Sequence, residues 1–139
     1  MYKKRIQIQK VSDMMKFNKI YFTITIVLLL VEIVIAKYSN GFIRHTLGDY
    51  LAVILLYAFI KSFSKLSMLK TSMIVLCIAY SIEFIQLTDL QKIYPSEYSN
   101  MLKLLLGTSF SIVDLVAYTL GIATVILFEK YLRKAKTYS

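Results

Sequence analysis

Apolar residues in this chain gather into four runs separated by short polar segments. The first, Ile20 to Ala36, is interrupted only by Glu32. The second, Tyr50 to Ile60, is short by itself, and starting it at His45 or Thr46 gives it the length to cross a membrane with some local thinning. The third lies between Lys70 and Asp89 and contains Glu83 and Gln86, and the fourth runs from about Ser109 to Phe128 and contains Asp114. A membrane-crossing helix uses about 20 residues. The pattern therefore predicts an all-α integral membrane bundle of four transmembrane helices, over approximately 20–36, 46–60, 71–88 and 109–128. A basic segment, 1–19, precedes the 20–128 bundle and a basic tail, 129–139, follows it. The stretch from Ser96 to Leu106 is too short to cross and reads as a short helix in the outer interface, ahead of the fourth span.

The first run has a secretory signal as its rival reading. It exceeds the usual 7–15-residue hydrophobic region of a signal, and no small-x-small cleavage site follows Ala36, so a retained helix is expected. Charge then orients the bundle, because cytoplasmic loops carry the excess of Lys and Arg. With both termini cytoplasmic, the inner segments hold 6, 3 and 4 basic residues, and the outer segments hold only Lys37, Arg44, Lys92 and Lys103. That 13-to-4 split disappears if the second run does not cross, which favours four spans. The net charge of +9 is thus a topology signal that also attracts anionic lipid headgroups, and nucleic acid is not expected as a partner.

Composition agrees with this. Of 139 residues, 58% are hydrophobic and 18% charged, against about 25% charged in soluble domains, and the mean hydropathy is +0.62. One proline and four glycines leave little material for the turns of a strand-rich fold. The single cysteine, Cys77, lies in an apolar run, where a thiol is expected to be a small packed hydrophobe. Tyr21, Tyr38, Tyr50, Tyr94, Tyr98 and Tyr131 fall near span boundaries and read as interfacial anchors.

The unusual chemistry falls toward one side. Glu32, Asp49, Glu83 and Asp114 all lie in the outer halves of their spans, joined by Gln86 and by Arg44 and His45 in the first outer loop. A charge at mid-membrane costs about 2.5–3.5 kcal/mol on insertion scales, so such groups face one another or a wet cavity. Two readings stand side by side. Thr46-x-x-Asp49 and Ser111-x-x-Asp114 fit a capping box, which would make both aspartates structural, and Glu32 has a structural reading as an interfacial group or a partner of Lys37. Glu83 is different, because it lies near a helix C-terminus, where the dipole disfavours an anion, so it needs a proton or a cationic partner. Arg44 is the obvious counter-ion, while Gln86, three residues on from Glu83, shares its face. Ser111, Asp114, Tyr118, Gly121 and Val125 form one stripe at helical spacing, suited to close packing against a neighbouring helix.

The residues Arg44-His45-x-x-Gly48-Asp49, then Glu83-x-x-Gln86, then Leu106-Gly107-Thr108-Ser109-Phe110-x-x-x-Asp114-x-x-x-Tyr118-x-x-Gly121 resemble the small bacterial membrane proteins grouped as domain of unknown function 2809. The resemblance covers about residues 20–128 and implies a multi-pass protein of the bacterial cytoplasmic membrane with no established activity. Glu-x-x-Gln followed by an aspartate in the next helix is more distantly similar to the VanZ proteins, associated with resistance to glycopeptides of the teicoplanin type. The VanZ pattern carries further polar residues after its aspartate, where this chain has Tyr118 and Gly121.

The resulting expectation is an outward-facing polar pocket formed from Arg44, His45, Asp49, Glu83, Gln86, Asp114 and Tyr118. It would bind a polar ligand or lipid headgroup, in envelope homeostasis or VanZ-like resistance. The alternatives are an intramembrane enzyme acting on a lipid-linked substrate and a small oligomeric proton-coupled transporter. No zinc motif, G-x-S-x-G or phosphate loop is present, so binding ranks above catalysis, with no cofactor or metal expected and membrane lipids as the surrounding partner.

Overall fold

The structure is a computed structural model and describes residues 5–9, 15–87 and 110–137. Four long helices dominate it: α1 (Lys19–Tyr38), α2 (Gly41–Phe63), α3 (Met68–Leu87) and α4 (Ile112–Thr137). Each is long and apolar enough to cross a membrane, which makes this a multi-pass membrane protein. No strand occurs among the described residues. The expected interfacial helix at 96–106 lies outside them.

Local chemistry sets the helix ends. Asn18 caps α1, its side-chain oxygen accepting the Ile20 N–H at 3.1 Å. Lys37 in the last turn of α1 complements the negative end of the helix dipole. Only Ser39 and Asn40 separate α1 from α2, and so tight a reversal needs an unusual backbone. Gly41 supplies it with φ +68°, in the left-handed region that costs glycine least. The second helix consequently begins at Gly41, earlier than the hydropathy run alone suggests, because Phe42-Ile43 and the following polar residues continue its turns. The α2–α3 turn is pinned by the Lys61 ammonium donating to the Leu66 carbonyl at 2.8 Å. Asn18 N–H donates to the Ser62 carbonyl at 2.7 Å and fastens the start of α1 to the end of α2.

Short connections make sequential helices antiparallel neighbours. In this bundle α2 is central, with α1 on one side and α4 on the other, while α3 packs on α4 and α2. The core holds Val53, Tyr57, Met68, Val75, Ala79, Tyr118 and Ile122. Gly121 sets the spacing of α2 and α4: a Cβ there would lie 2.5 Å from Val53 Cγ2 and 2.6 Å from the Tyr50 carbonyl oxygen. Small residues that let backbones approach in this way are the usual device of membrane helix interfaces. The polar-to-small stripe on α4 is accordingly its packing face, with Tyr118 and Gly121 buried and Ser111, Asp114 and Val125 half-buried. Inter-helix hydrogen bonds add to it, from Tyr50 to Thr124 at 2.8 Å and between Tyr80 and Thr119 at 2.7 Å.

Large apolar side chains such as Leu30, Ile33, Met73, Leu127 and Phe128 point outward, as they do in a helix bundle solvated by lipid. Cys77 is exposed on this outer surface and is not the packed residue its run suggests, because α3 buries only the face that meets α2 and α4. Opposite ends of the bundle differ in charge. Glu32, Asp49, Glu83 and Asp114 lie toward one, here the acidic end. The start of α1, the α2–α3 turn and the last turns of α4 bring Lys16, Lys19, Lys61, Lys65, Lys70, Lys130, Arg133 and Lys134 to the other, the basic end.

Candidate functional site at the acidic end

At the acidic end α2, α3 and α4 converge on the hydroxyl of Tyr118. That hydroxyl lies 3.0 Å from Glu83 Oε1 and 3.3 Å from Asp49 Oδ1, so one phenol serves two carboxyls from two different helices. Asp114, one turn before Tyr118 on α4, lies within side-chain hydrogen-bonding reach of Asp49 and also faces Glu83. The second oxygen of Glu83 accepts the backbone N–H of Ser111 at 3.4 Å. Glu83 is 1% exposed, Tyr118 is buried, and the two aspartates are half-buried.

This arrangement answers the question that Glu83 poses in sequence. A carboxyl near the C-terminus of α3 is unfavourable within its own helix, yet the N-terminus of α4 lies beside it. The Ser111 N–H and the positive end of the α4 dipole take the role expected of Arg44. Arg44 and His45 are both exposed in the first turns of α2, and neither forms an ion pair with a described residue. Asp49 is not a helix cap, since α2 starts well before it, and the Thr46 hydroxyl is buried without a hydrogen-bond partner. Asp114 does lie in the first turn of α4, three residues after Ser111.

Among the described residues, the three carboxyl groups are offered one phenolic O–H and one long backbone N–H. Gln86 Oε1, one turn along α3 from Glu83, and Thr46 Oγ1, one turn before Asp49, are both buried and unpartnered, as is Glu32 Oε1 on α1. Leaving a buried polar group unsatisfied costs about 1–3 kcal/mol. The Thr46 hydroxyl can itself donate, but the carboxyl oxygens and Gln86 Oε1 can only accept while the carboxyls are ionised, and among the described residues they outnumber the donors.

A second polar cluster, not anticipated from the sequence, occupies the basic end. Glu129, 7% exposed, accepts the hydroxyl of Tyr21 at 2.5 Å and that of Tyr57 at 2.6 Å, both on Oε1, and its Oε2 lies 3.6 Å from Arg133. It joins α1, α2 and α4 through one carboxylate. Hydropathy falls off at Phe128, which makes Glu129 look like the start of a soluble tail, but α4 continues to Thr137. The available signal was periodicity: Tyr118, Ile122, Val125 and Glu129 follow one another at 4-3-4 spacing on one helical face. Tyr21 is thus a hydrogen-bonding member of this cluster rather than a free interfacial anchor. Tyr38 and Tyr131 are 75% and 72% exposed.

A small multi-pass helical membrane protein with a carboxyl-rich end is the class these features define. The chain belongs to the family described as proteins of unknown function, DUF2809, whose profile matches residues 38–122. That range contains Asp49, Glu83, Gln86, Asp114 and Tyr118 and stops short of Glu129. No curated protein and no solved structure matches the chain.

Proposed function

We propose that the acidic end is a binding pocket for a polar ligand or lipid headgroup that presents a protonated amine. The observation that carries this reading is the excess, among the described residues, of buried and half-buried acceptors over donors around Tyr118: Glu83, Asp49 and Asp114, with the unpartnered Gln86 Oε1 beside them. An ammonium supplies what is missing, since it brings three N–H donors and a positive charge to a site of carboxyls. Arg44 and His45, exposed at the rim, are the contacts for the remaining polar part of such a ligand. The basic residues concentrated at the opposite end support an outward orientation for this pocket in a bacterial cytoplasmic membrane, by the charge rule for cytoplasmic loops. A role in envelope homeostasis or VanZ-like resistance to a surface-acting antibiotic follows from that placement.

Proton-coupled transport is the less favoured reading. From Tyr118 to Glu129 the α4 backbone rises about 16 Å, and the intervening core is occupied by Val53, Val75 and Ile122. The test is the melting temperature of detergent-purified protein with added phosphatidylethanolamine or phosphatidylcholine, whose quaternary ammonium has no N–H. The expected result is stabilisation by the former alone, lost in Glu83→Gln and in Asp49→Asn. Equal responses to the two lipids would refute the reading for headgroups. For the cellular role, a deletion strain should become more sensitive to cell-wall- or lipid-directed antibiotics, and unchanged sensitivity to all of them counts against it.

A further inference from the structure

The basic end carries a cavity of about 460 Å³, set between the residues leading into α1 and the turn after α2. Its wall includes Lys16, Lys19, Lys61 and Lys65, together with Tyr21 and Ser64, and among the described residues no acidic one. Its size falls within the range of about 300–1,000 Å³ typical of small-molecule sites and far exceeds what a single ion needs. Four ammonium groups around one cavity repel one another unless an anion lies among them. The buried carboxylate that Tyr21 reaches is already committed: Glu129 is held by Tyr21, Tyr57 and Arg133. Lys16, Lys19 and Lys65 form no ion pair with a described residue. Lys61 is fixed in place by the Leu66 carbonyl, with its ammonium 5.8 Å from the centre of the Tyr21 ring. The Ser64 hydroxyl is buried without a partner.

Beside the lysines lies an aromatic ledge. Phe17 packs on Phe22 and Phe63, with ring centroids 5.2 and 5.7 Å apart, and Phe63 packs on Phe59 at 5.3 Å. Phe17, Phe59 and Phe63 remain exposed on the apolar surface of the bundle. Positive charge above and exposed apolar rings alongside match the two halves of one molecule.

We propose that this cavity is a phosphate site that holds the headgroup of an anionic phospholipid, its acyl chains lying along the Phe17–Phe63 ledge. Lysine is well suited to the role as a point charge for phosphate oxygens, and basic pockets between membrane helices are a recurrent way of binding phosphorylated headgroups. The site is separate from the acidic pocket and does not depend on what that pocket binds.

The experiment compares phosphatidylglycerol, phosphatidylcholine and inorganic phosphate as ligands for the delipidated full chain in detergent, read by lipid retention and melting temperature. Wild type should prefer phosphatidylglycerol over phosphatidylcholine by about tenfold or more, as three or four lysines near one anionic group suggest. The triple variant Lys16→Gln/Lys19→Gln/Lys65→Gln should lose that preference, while Lys70→Gln/Lys130→Gln/Lys134→Gln, at the same end but outside the cavity, should keep it. All three cavity lysines chosen are exposed, and the single variant Lys65→Gln repeats the test should the triple variant not fold. Equal loss in both triple variants would show diffuse attraction and overturn the site. Stabilisation by inorganic phosphate as strong as that by the lipid would assign the cavity to a free phosphate compound and overturn the lipid. Glu83→Gln should leave every one of these results unchanged, which separates this test from that of the acidic pocket.

Discussion

Glu83 and Glu129 are both buried glutamates held by tyrosine, at opposite ends of one bundle, and they are satisfied to very different degrees. Glu129 receives two phenolic hydrogen bonds of its own, at 2.5 and 2.6 Å, with a guanidinium 3.6 Å away. Glu83 has a phenol at 3.0 Å that it shares with Asp49, a backbone N–H at 3.4 Å, and carboxyl neighbours. Short, unshared bonds from two neighbouring helices describe a clamp. Long, shared bonds among like-charged groups describe a place that something else completes. Burial of an acid in a membrane helix therefore does not by itself mark a site; the balance of donors and acceptors around it does.

The largest expected effect comes from breaking the clamp. Glu129→Ala strands two phenols and opens a cavity between α1, α2 and α4, and should cost about 2–4 kcal/mol in detergent unfolding or protease-resistance measurements. If it is neutral, the contrast between the two ends fails. Gly121→Ala comes next. A Cβ 2.6 Å from the Tyr50 carbonyl forces α2 and α4 apart, and overpacking of this kind costs about 1–3 kcal/mol. Since Asp49 and Tyr118 sit on those two helices near the contact, this variant should also weaken phosphatidylethanolamine binding, read in the same melting assay.

A matched pair of phenol deletions sharpens the comparison further. Tyr57→Phe removes a short bond to a carboxylate and should cost about 1–2 kcal/mol, whereas Tyr118→Phe removes a longer, shared bond and should cost about 0.6 kcal/mol, the average for hydrogen bonds between membrane helices. A larger loss for Tyr118→Phe would reverse the assignment of clamp and site. Smallest of all is Glu83→Gln, which keeps shape and removes the charge. It should melt within about 0.5 kcal/mol of wild type or above it, as expected where stability is given up for function. A loss of about 3–5 kcal/mol would instead make Glu83 one half of a buried ion pair.

Much of the acidic cluster is legible in the sequence. Helical spacing put Asp114, Tyr118 and Gly121 on one face, and the third and fourth runs placed Glu83 near the start of the fourth helix. Arg44 and His45 also belong to the family-like motif, yet the early start of α2 turns them to the surface. A sequence motif records which residues are near in the chain. It does not give the rotation of the helix that carries them.

What the sequence alone determined is whatever adds up locally: four apolar runs long enough to cross a membrane, the uneven distribution of lysine and arginine, and the placement of carboxyls toward one end. Hydropathy and charge are sums over neighbouring residues, so they survive without knowledge of packing. Only the tertiary structure decided which carboxyls meet. It paired Glu83 with the N-terminus of α4 in place of Arg44, and it drew Glu129 out of an apparent basic tail into a three-helix clamp with Tyr21 and Tyr57. Those choices depend on helix rotation and on separations of an ångström or less, such as the gap that Gly121 leaves for the Tyr50 carbonyl, and no local sum contains them.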